Sequence, residues 1–318
     1  HSTQVVVDGE VHDIGYYAML SGTMGFGTLV DINGDPIVME DGSRKISNSN
    51  DFSSLLTGGD GNLYMVSHFE NRPGGMYLTQ LSQNLQTGHL GVIRTRPLDF
   101  SQYNGGWVHC AGSVTPWGTH LGSEEYPPDG KQWRDGDVSG YNAEMARYFP
   151  EARGVSTNAL PDLALDVVNP YDYGFVVEVG VQNFNNASVT KHFAMGRVAI
   201  ELAYVMPDQK TAYISDDGSR VGLFMFKADQ AGDLSSGTLY AAKWTQTSPY
   251  IEPSTQTGNF PSRADDQNPA GTEEIGARVA TVEERDGGAG DISWVKLGSA
   301  TNARSEERRV GKECTLRC

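Results

Sequence analysis

Short apolar runs rich in β-branched and aromatic residues recur along the chain, and glycine, aspartate or asparagine closes nearly every one. GTLVDI, PIVME, LYMVSH, MYLTQL, HLGVIRT, FVVEVG, VAIELAYV, TAYISDD, VGLFMFKA and TLYAAKW are too short for buried helices and have the composition of strands. The segments between them, among them DINGD, GGDGN, NRPGG and DDGSR, hold residues that accept positive φ or close a tight reversal. A chain punctuated in this way does not form a helical bundle. It predicts an all-β dominated fold of many short antiparallel strands, a propeller or a sandwich. No repeat of about 40 residues with a shared signature runs through it, so periodicity alone does not give a regular propeller.

Two stretches read as helices that decorate this scaffold. YNAEMARYFP sets Met145 and Tyr148 one turn apart with Pro150 as a stop. TEEIGARVATVEE places Ile275, Val279 and Val282 on one face with acids in its first turn. Residues 248–271, rich in serine, threonine, proline, asparagine and glutamine, read as a long excursion.

Charge narrows the function. With 24 Lys and Arg against 40 Asp and Glu the formal net charge is −16, and no basic stripe exists to displace counterions from a polyanion, so nucleic-acid binding is not expected. No apolar run approaches the roughly 18 residues of a membrane span, so no transmembrane segment is expected. The chain begins at His1 without a signal-peptide pattern. Its end, RSEERRVGKEC from Arg304, resembles the conceptual translation of a sequencing adapter. Residues 1–303 are therefore expected to form a single domain, and residues 304–318 to lie outside the fold.

Of the three cysteines, two fall in the last five residues, which leaves Cys110 as the one thiol of the body. It sits in WVHCAGSVTPWGTHLGSEEYPPD, a segment that also holds the adjacent carboxylates Glu124 and Glu125. A lone cysteine can be an inert small hydrophobe. Here Gly112 and Gly118 read as uncrowded neighbours, and Trp107 and Trp117 could shield a site from water. A thiolate with carboxylates is a ligand set for a transition metal of intermediate softness, while carboxylates alone suit calcium or magnesium. No paired cysteines give a zinc-finger spacing. A cysteine nucleophile would need a base, and His109 is adjacent in sequence, where strand geometry sends side chains to opposite faces. The ligand reading is the stronger.

CAGSVTPWGTHLGSEE resembles the Cys-Ala-Gly-Gly-x-Thr-Pro-Trp-Gly-Thr-x-Leu-x-Cys-Glu-Glu signature of the PhoX-type alkaline phosphatases. NDFSSLLTGGDGNLYMVSHFE resembles that family's Asn-Asp-Phe segment leading to an Asn-His-Glu strand. KHFAMGRVAIELAYVMPDQKTAYISDDG resembles its Lys-x-x-x-x-Gly-Arg-Phe-x-His-Glu strand and the Asp-Asp turn that follows. The resemblance implies an irregular six-bladed β-propeller, exported to the periplasm or beyond, that hydrolyses small phosphomonoesters with iron and calcium. By the same resemblance Cys110 would be an iron ligand, and Glu125 would bridge or bind metal. Glu201 and Asp217 would be further carboxylate ligands. Glu70 matches the Glu of Asn-His-Glu, with Phe69 inserted so that its register is open by one residue.

The sequence departs from the family pattern at Ser113, at Ser123, at His109 in place of the expected Asn, and at Ile200 in place of the His before Glu201. His109 and Ile200 bear most on the site. The family's later Arg-Pro-Glu motif would lie beyond SWVKLGSATNA, so the propeller is expected to be incomplete at its C-terminus and the 318 residues inactive as written. Structural alternatives stand beside each residue. Asp216 and Asp217 precede Gly218 and could shape a hairpin turn. Asp31 and Asp35 of DINGDP could start a calcium loop, although a turn is the simpler use. The functional rivals are a calcium-dependent lactonase-type propeller and a non-catalytic or degenerate ligand-binding propeller.

Overall fold

A computed structural model describes residues 4–13, 17–22, 25–138, 140–217, 221–246 and 290–302. Four antiparallel sheets and few helices make up the described chain. β1 (Gln4–Val7) and β2 (Glu10–Asp13) form an exposed hairpin. The first large sheet is the meander β3 (Asn50–Thr57), β4 (Leu63–Phe69), β5 (Gly75–Gln83) and β6 (Leu90–Pro97).

The second large sheet joins β7 (Ser113–Val114), β8 (His120–Gly122), β9 (Val177–Asn183) and β10 (Asn186–Lys191). The third runs β11 (Ile200–Val205), β12 (Thr211–Asp216), β13 (Leu223–Gln230), β14 (Asp233–Gln246) and β15 (Gly290–Thr301). Among the described residues no sheet closes on itself.

Every sheet is built from sequence neighbours except at β8 and β9, where a helical insertion intervenes. It holds α1 (Gly130–Arg134), α2 (Gly140–Ala143), α3 (Leu160–Val167) and several 3₁₀ turns. Asp129 caps α1 by accepting from the backbone N–H groups of Lys131 and Gln132. The expected helix at 141–150 is α2 continued as a 3₁₀ segment, Glu144–Tyr148, and Pro150 opens the next 3₁₀ turn. Proline fits that first position because the N–H it lacks would have no partner there. The stretches 248–271 and 272–284 lie outside the described residues.

The strand readings from LYMVSH to HLGVIRT match β4 to β6, and those from FVVEVG to TLYAAKW match β9 and β11 to β14. GTLVDI and PIVME make only isolated bridges, Thr28 with Ile46, Val30 with Pro36 and Val38 with Arg44. Pro36 cannot donate to a ladder. Asp31 draws the chain into a turn instead, its Oδ1 accepting from the N–H groups of Asn33 and Asp35. Arg153 Nη2 donates to Asp31 at 2.6 Å and to Asp35 at 2.9 Å, so a guanidinium already neutralises the carboxylates of DINGDP.

Alternating apolar positions on β9 let the second sheet face both others. Val177, Val179 and Val181 pack against Leu56, Tyr64, Val66, Met76 and Leu78 of the first sheet. Leu121 and Val176 pack with Ile200, Ala203, Ile214 and Phe226 of the third. A separate cluster of Trp107, Trp133, Met145, Tyr148, Leu160 and Tyr173 fills the helical insertion. Each such side chain contributes about 1.5–3 kcal/mol when fully buried.

Candidate metal centre

The adjacent acids Glu124 and Glu125 face opposite ways. Glu124 is completely buried and accepts hydrogen bonds from the backbone N–H groups of Trp107, Gly174 and Phe175. Its other partner is Lys191, equally buried, whose Nζ stands 2.7 Å from Glu124 Oε1 and also donates to the carbonyls of Gly105 and Asp172. The Lys191 ammonium lies 4.8 Å from the centre of the Tyr173 ring. A buried pair holds only when its remaining lone pairs and protons are satisfied, and here they are.

That pair fixes the corner from which the thiol is presented. Glu124 holds the Trp107 N–H, and the next residue, Val108, has φ +23°, a strained value for a β-branched side chain. The Val108 carbonyl accepts from Glu125 N–H, which keeps the two segments side by side. Trp107 Nε1 donates to the Tyr126 carbonyl, and Tyr126 itself takes φ +45°. Trp107 is thus an anchor and not a cover over the site. The TPWGT stretch is the turn between β7 and β8, with Gly118 at φ +83° and Trp117 Nε1 donating to Glu178 on β9. Gly112 is crowded, contrary to the expectation of an open neighbour. A Cβ there would meet Phe52 at 2.7 Å and the Leu121 carbonyl at 2.9 Å.

Two bulges aim carboxylates at Cys110. On β11, Ile200 pairs with Asp216 and Leu202 with Ser215, which leaves Glu201 as the extra residue. On β3, Asn50 pairs with Phe69 and Ser53 with Ser67, so Asp51 and Phe52 together stand opposite one residue of β4. Cys110 Sγ lies 3.4 Å from Glu201 Oε2, 3.7 Å from Asp51 Oδ2 and 3.9 Å from Glu70 Oε1. Cys110, Glu125 and Glu201 bring ligand atoms within 4.8 Å of one another, and so do Asp51, Glu70 and Cys110. Asp217 joins at the rim, hydrogen-bonded to Glu125 and accepting from the Tyr126 hydroxyl.

All five residues expected from the sequence therefore meet in one place, Asp217 through Glu125 and Tyr126. Asp51 was not expected. It stands in the quoted Asn-Asp-Phe segment, but a bulge leaves no trace in a residue pattern. Asp216 does what the turn alternative assigned to it, accepting from the N–H groups of Ala199 and Gly222. His109 is turned away, fully buried with Nδ1 at 2.9 Å from the Ser123 carbonyl. Ile200 points into the core, and Ser123 Oγ donates to the Ala111 carbonyl.

The electrostatics show what this arrangement lacks. Burial raises Glu125 to about 8, with the Asp217 hydrogen bond and the Glu201 charge adding to it. Burial, then the charges of Glu125, Glu201 and Asp51, push the Cys110 thiol up. Burial and Asp51 raise Glu70 as well. Carboxylates that repel one another in this way stay ionised together only around a cation. The donor set, one thiol and several carboxylates, fits a metal of intermediate softness beside a hard cation.

A family model described as Alkaline phosphatase PhoX matches residues 30–315. The chain belongs to the PhoX alkaline phosphatase family. The match covers every element of this site, and the family implies a hydrolase acting on small phosphomonoesters with a metal cofactor. No curated protein and no solved structure matches the chain. No helix among the described residues is long and apolar enough to cross a membrane.

Proposed function

We propose that this PhoX-family chain carries the metal centre of a phosphomonoester hydrolase, in which Cys110, Glu125, Glu201, Asp217, Glu70 and Asp51 hold iron and calcium. One observation carries the proposal. A thiol and carboxylates on or beside strands of three separate sheets converge, with ligand atoms of Cys110, Glu125 and Glu201, and of Asp51, Glu70 and Cys110, within 4.8 Å of one another. Asp51 lies on β3 and Glu70 just after β4 of the first sheet, Cys110 shortly before β7 and Glu125 shortly after β8 of the second, and Glu201 on β11 with Asp217 just after β12 of the third.

The same convergence supports the propeller reading. β3, β7 and β11 are edge strands of their sheets, and all three bring their neighbouring residues to the cluster. We take the three large sheets as blades of an irregular six-bladed propeller whose inner strands line the mouth, residues 1–303 forming one domain that is incomplete at its C-terminus. The departures at His109 and Ile200 face the core, which favours a working site over a decayed one. A centre built around a thiol favours the phosphatase over a lactonase-type propeller, whose carboxylates alone would serve calcium.

Cations held by these residues would supply positive charge to the phosphate oxygens of a phosphomonoester. The chain's own residues prepare for this. Glu125 gives up the proton that its raised pKa keeps near neutrality, and Cys110 gives up its thiol proton, so loading the site releases protons. The Glu124–Lys191 pair and the Trp107 N–H keep Cys110 in place, and Tyr126 offers a hydroxyl at the rim. The enzyme acts in the periplasm or outside the cell.

The first test is metal-dependent binding of inorganic phosphate by calorimetry, followed by turnover of p-nitrophenyl phosphate. Phosphate should bind with iron and calcium present, not in chelator, and not to Glu201→Gln. A metal-loaded protein that neither binds phosphate nor turns over the ester would overturn the proposal.

A further inference from the structure

Beneath the thiol and carboxylates lies a second group of potential ligands that the phosphatase reading does not use. His68 on β4 and Met76 on β5 are directly paired across the ladder, so their side chains share one face. His120 on β8 precedes Gly122 by two residues and projects to the same side as a side chain there would. A Cβ placed on Gly122 would stand 3.0 Å from His120 Nε2, 3.3 Å from His68 Nδ1 and 2.9 Å from Met76 Cε. Side chains from two sheets therefore crowd the one spot where β8 has none.

All three residues are fully buried. Among the described residues His120 Nε2 and both ring nitrogens of His68 have no hydrogen-bond partner. Buried polar groups are rarely left unpaired, so the arrangement needs a reason. His120 Nδ1 is held at 2.7 Å by Ser54 Oγ, which fixes the ring with Nε2 directed inward. A metal-binding histidine is oriented in this way, its second nitrogen tied to a hydrogen-bond partner. The two rings stand 5.1 Å apart at 85°, and imidazoles sharing one ion at about 2 Å have centroids about 5 Å apart. Burial holds the His120 imidazole well below the usual histidine range, in the neutral form that ligates.

We propose that His68, His120 and Met76 form a buried site for a monovalent copper ion. Neutral imidazoles with a soft thioether select Cu⁺. The three atoms nearest this spot belong to a thioether side chain and two imidazoles and carry no formal charge, so a single charge is far less costly to bury than two. The ring of His109 lies 6.2 Å from that of His68, with its Nδ1 bonded to the Ser123 carbonyl.

This proposal stands independently of the phosphatase reading, and its test removes that site. The background carries Cys110→Ser, Cys314→Ser, Cys318→Ser and Glu201→Gln, which eliminates every thiol and disables the carboxylate centre. Anaerobic titration with Cu⁺ against bicinchoninate should show one bound equivalent, and X-ray absorption should show two nitrogens and one sulfur. His120→Gln should weaken binding by roughly tenfold or more. Met76→Leu, nearly isosteric and safe for folding, should do the same and remove the sulfur signal. A background that takes up no Cu⁺, as when the imidazoles merely bridge internal water, overturns the proposal. Retention of Cu⁺ unchanged in Met76→Leu also overturns it.

Discussion

The crowding of acids around Cys110 makes the metal-free protein sensitive to pH in an unusual direction. Glu125 rises from an ordinary 4.5 to about 8 in the fold, mainly through burial. A carboxyl raised on folding contributes stability that is fully present below its unfolded pKa and is lost as pH climbs through its folded one. The window is therefore pH 4.5 to 8, with stability falling as pH rises. At about 1.4 kcal/mol per unit the shift gives a ceiling of about 5 kcal/mol, which solvent screening reduces to about 2–3. The assay is urea unfolding at pH 5.5, 7 and 8.5 in chelator, repeated with calcium and iron. The chelated protein should lose about 2–3 kcal/mol over that range. Metal at a hundredfold excess over its dissociation constant should restore about 2.7 kcal/mol at the alkaline end. Glu125→Gln should flatten the chelated profile. A chelated profile that rises with pH, or a slope that Glu125→Gln leaves untouched, would refute the claim that these acids strain against one another.

Four further substitutions probe the supports of the site. Lys191→Met leaves Glu124 buried without its cation and should destabilise by about 3–5 kcal/mol in urea, with Glu124→Gln in the same chain recovering part of the loss; a double-mutant cycle with no coupling would contradict the pairing. Asp216→Ala should lose about 1–2 kcal/mol by freeing the Ala199 and Gly222 amides while metal content holds. Asp217→Asn should reverse that pattern, keeping the stability and losing calcium affinity, as metal analysis beside unfolding curves will show. Gly112→Ala forces a methyl against Phe52 and the Leu121 carbonyl, so it should cost about 1–3 kcal/mol and weaken metal binding through the neighbouring Asp51, read by calorimetry.

Strands were legible where composition and punctuation agreed, as from β4 to β6, because a turn-bounded apolar run has few other uses. They were not legible at 27–32 and 36–40, where Asp31 and Pro36 favour turn chemistry over a ladder. At the site, the motif spacing located Cys110, Glu125, Glu201, Asp217 and Glu70. The family resemblance singled out one acid of each adjacent pair, which residue type alone could not do. Glu124 with Glu125, and Asp216 with Asp217, read alike in sequence, yet one of each pair binds backbone and the other faces the cluster. Asp51 was missed because the bulge on β3 depends on pairing with β4, a nonlocal fact. Gly112 looked permissive for the same reason, since Phe52, sixty residues earlier, is what crowds it.

The central claim is that one thiol and several carboxylates from three sheets serve a single metal centre. Metal analysis of the purified chain beside Cys110→Ser and Glu201→Gln tests it most directly. The account predicts bound iron and calcium in the parent, loss of iron in Cys110→Ser, and loss of metal in Glu201→Gln with the fold intact by circular dichroism. A parent protein that binds neither metal, or a Cys110→Ser variant that keeps its iron, would contradict it.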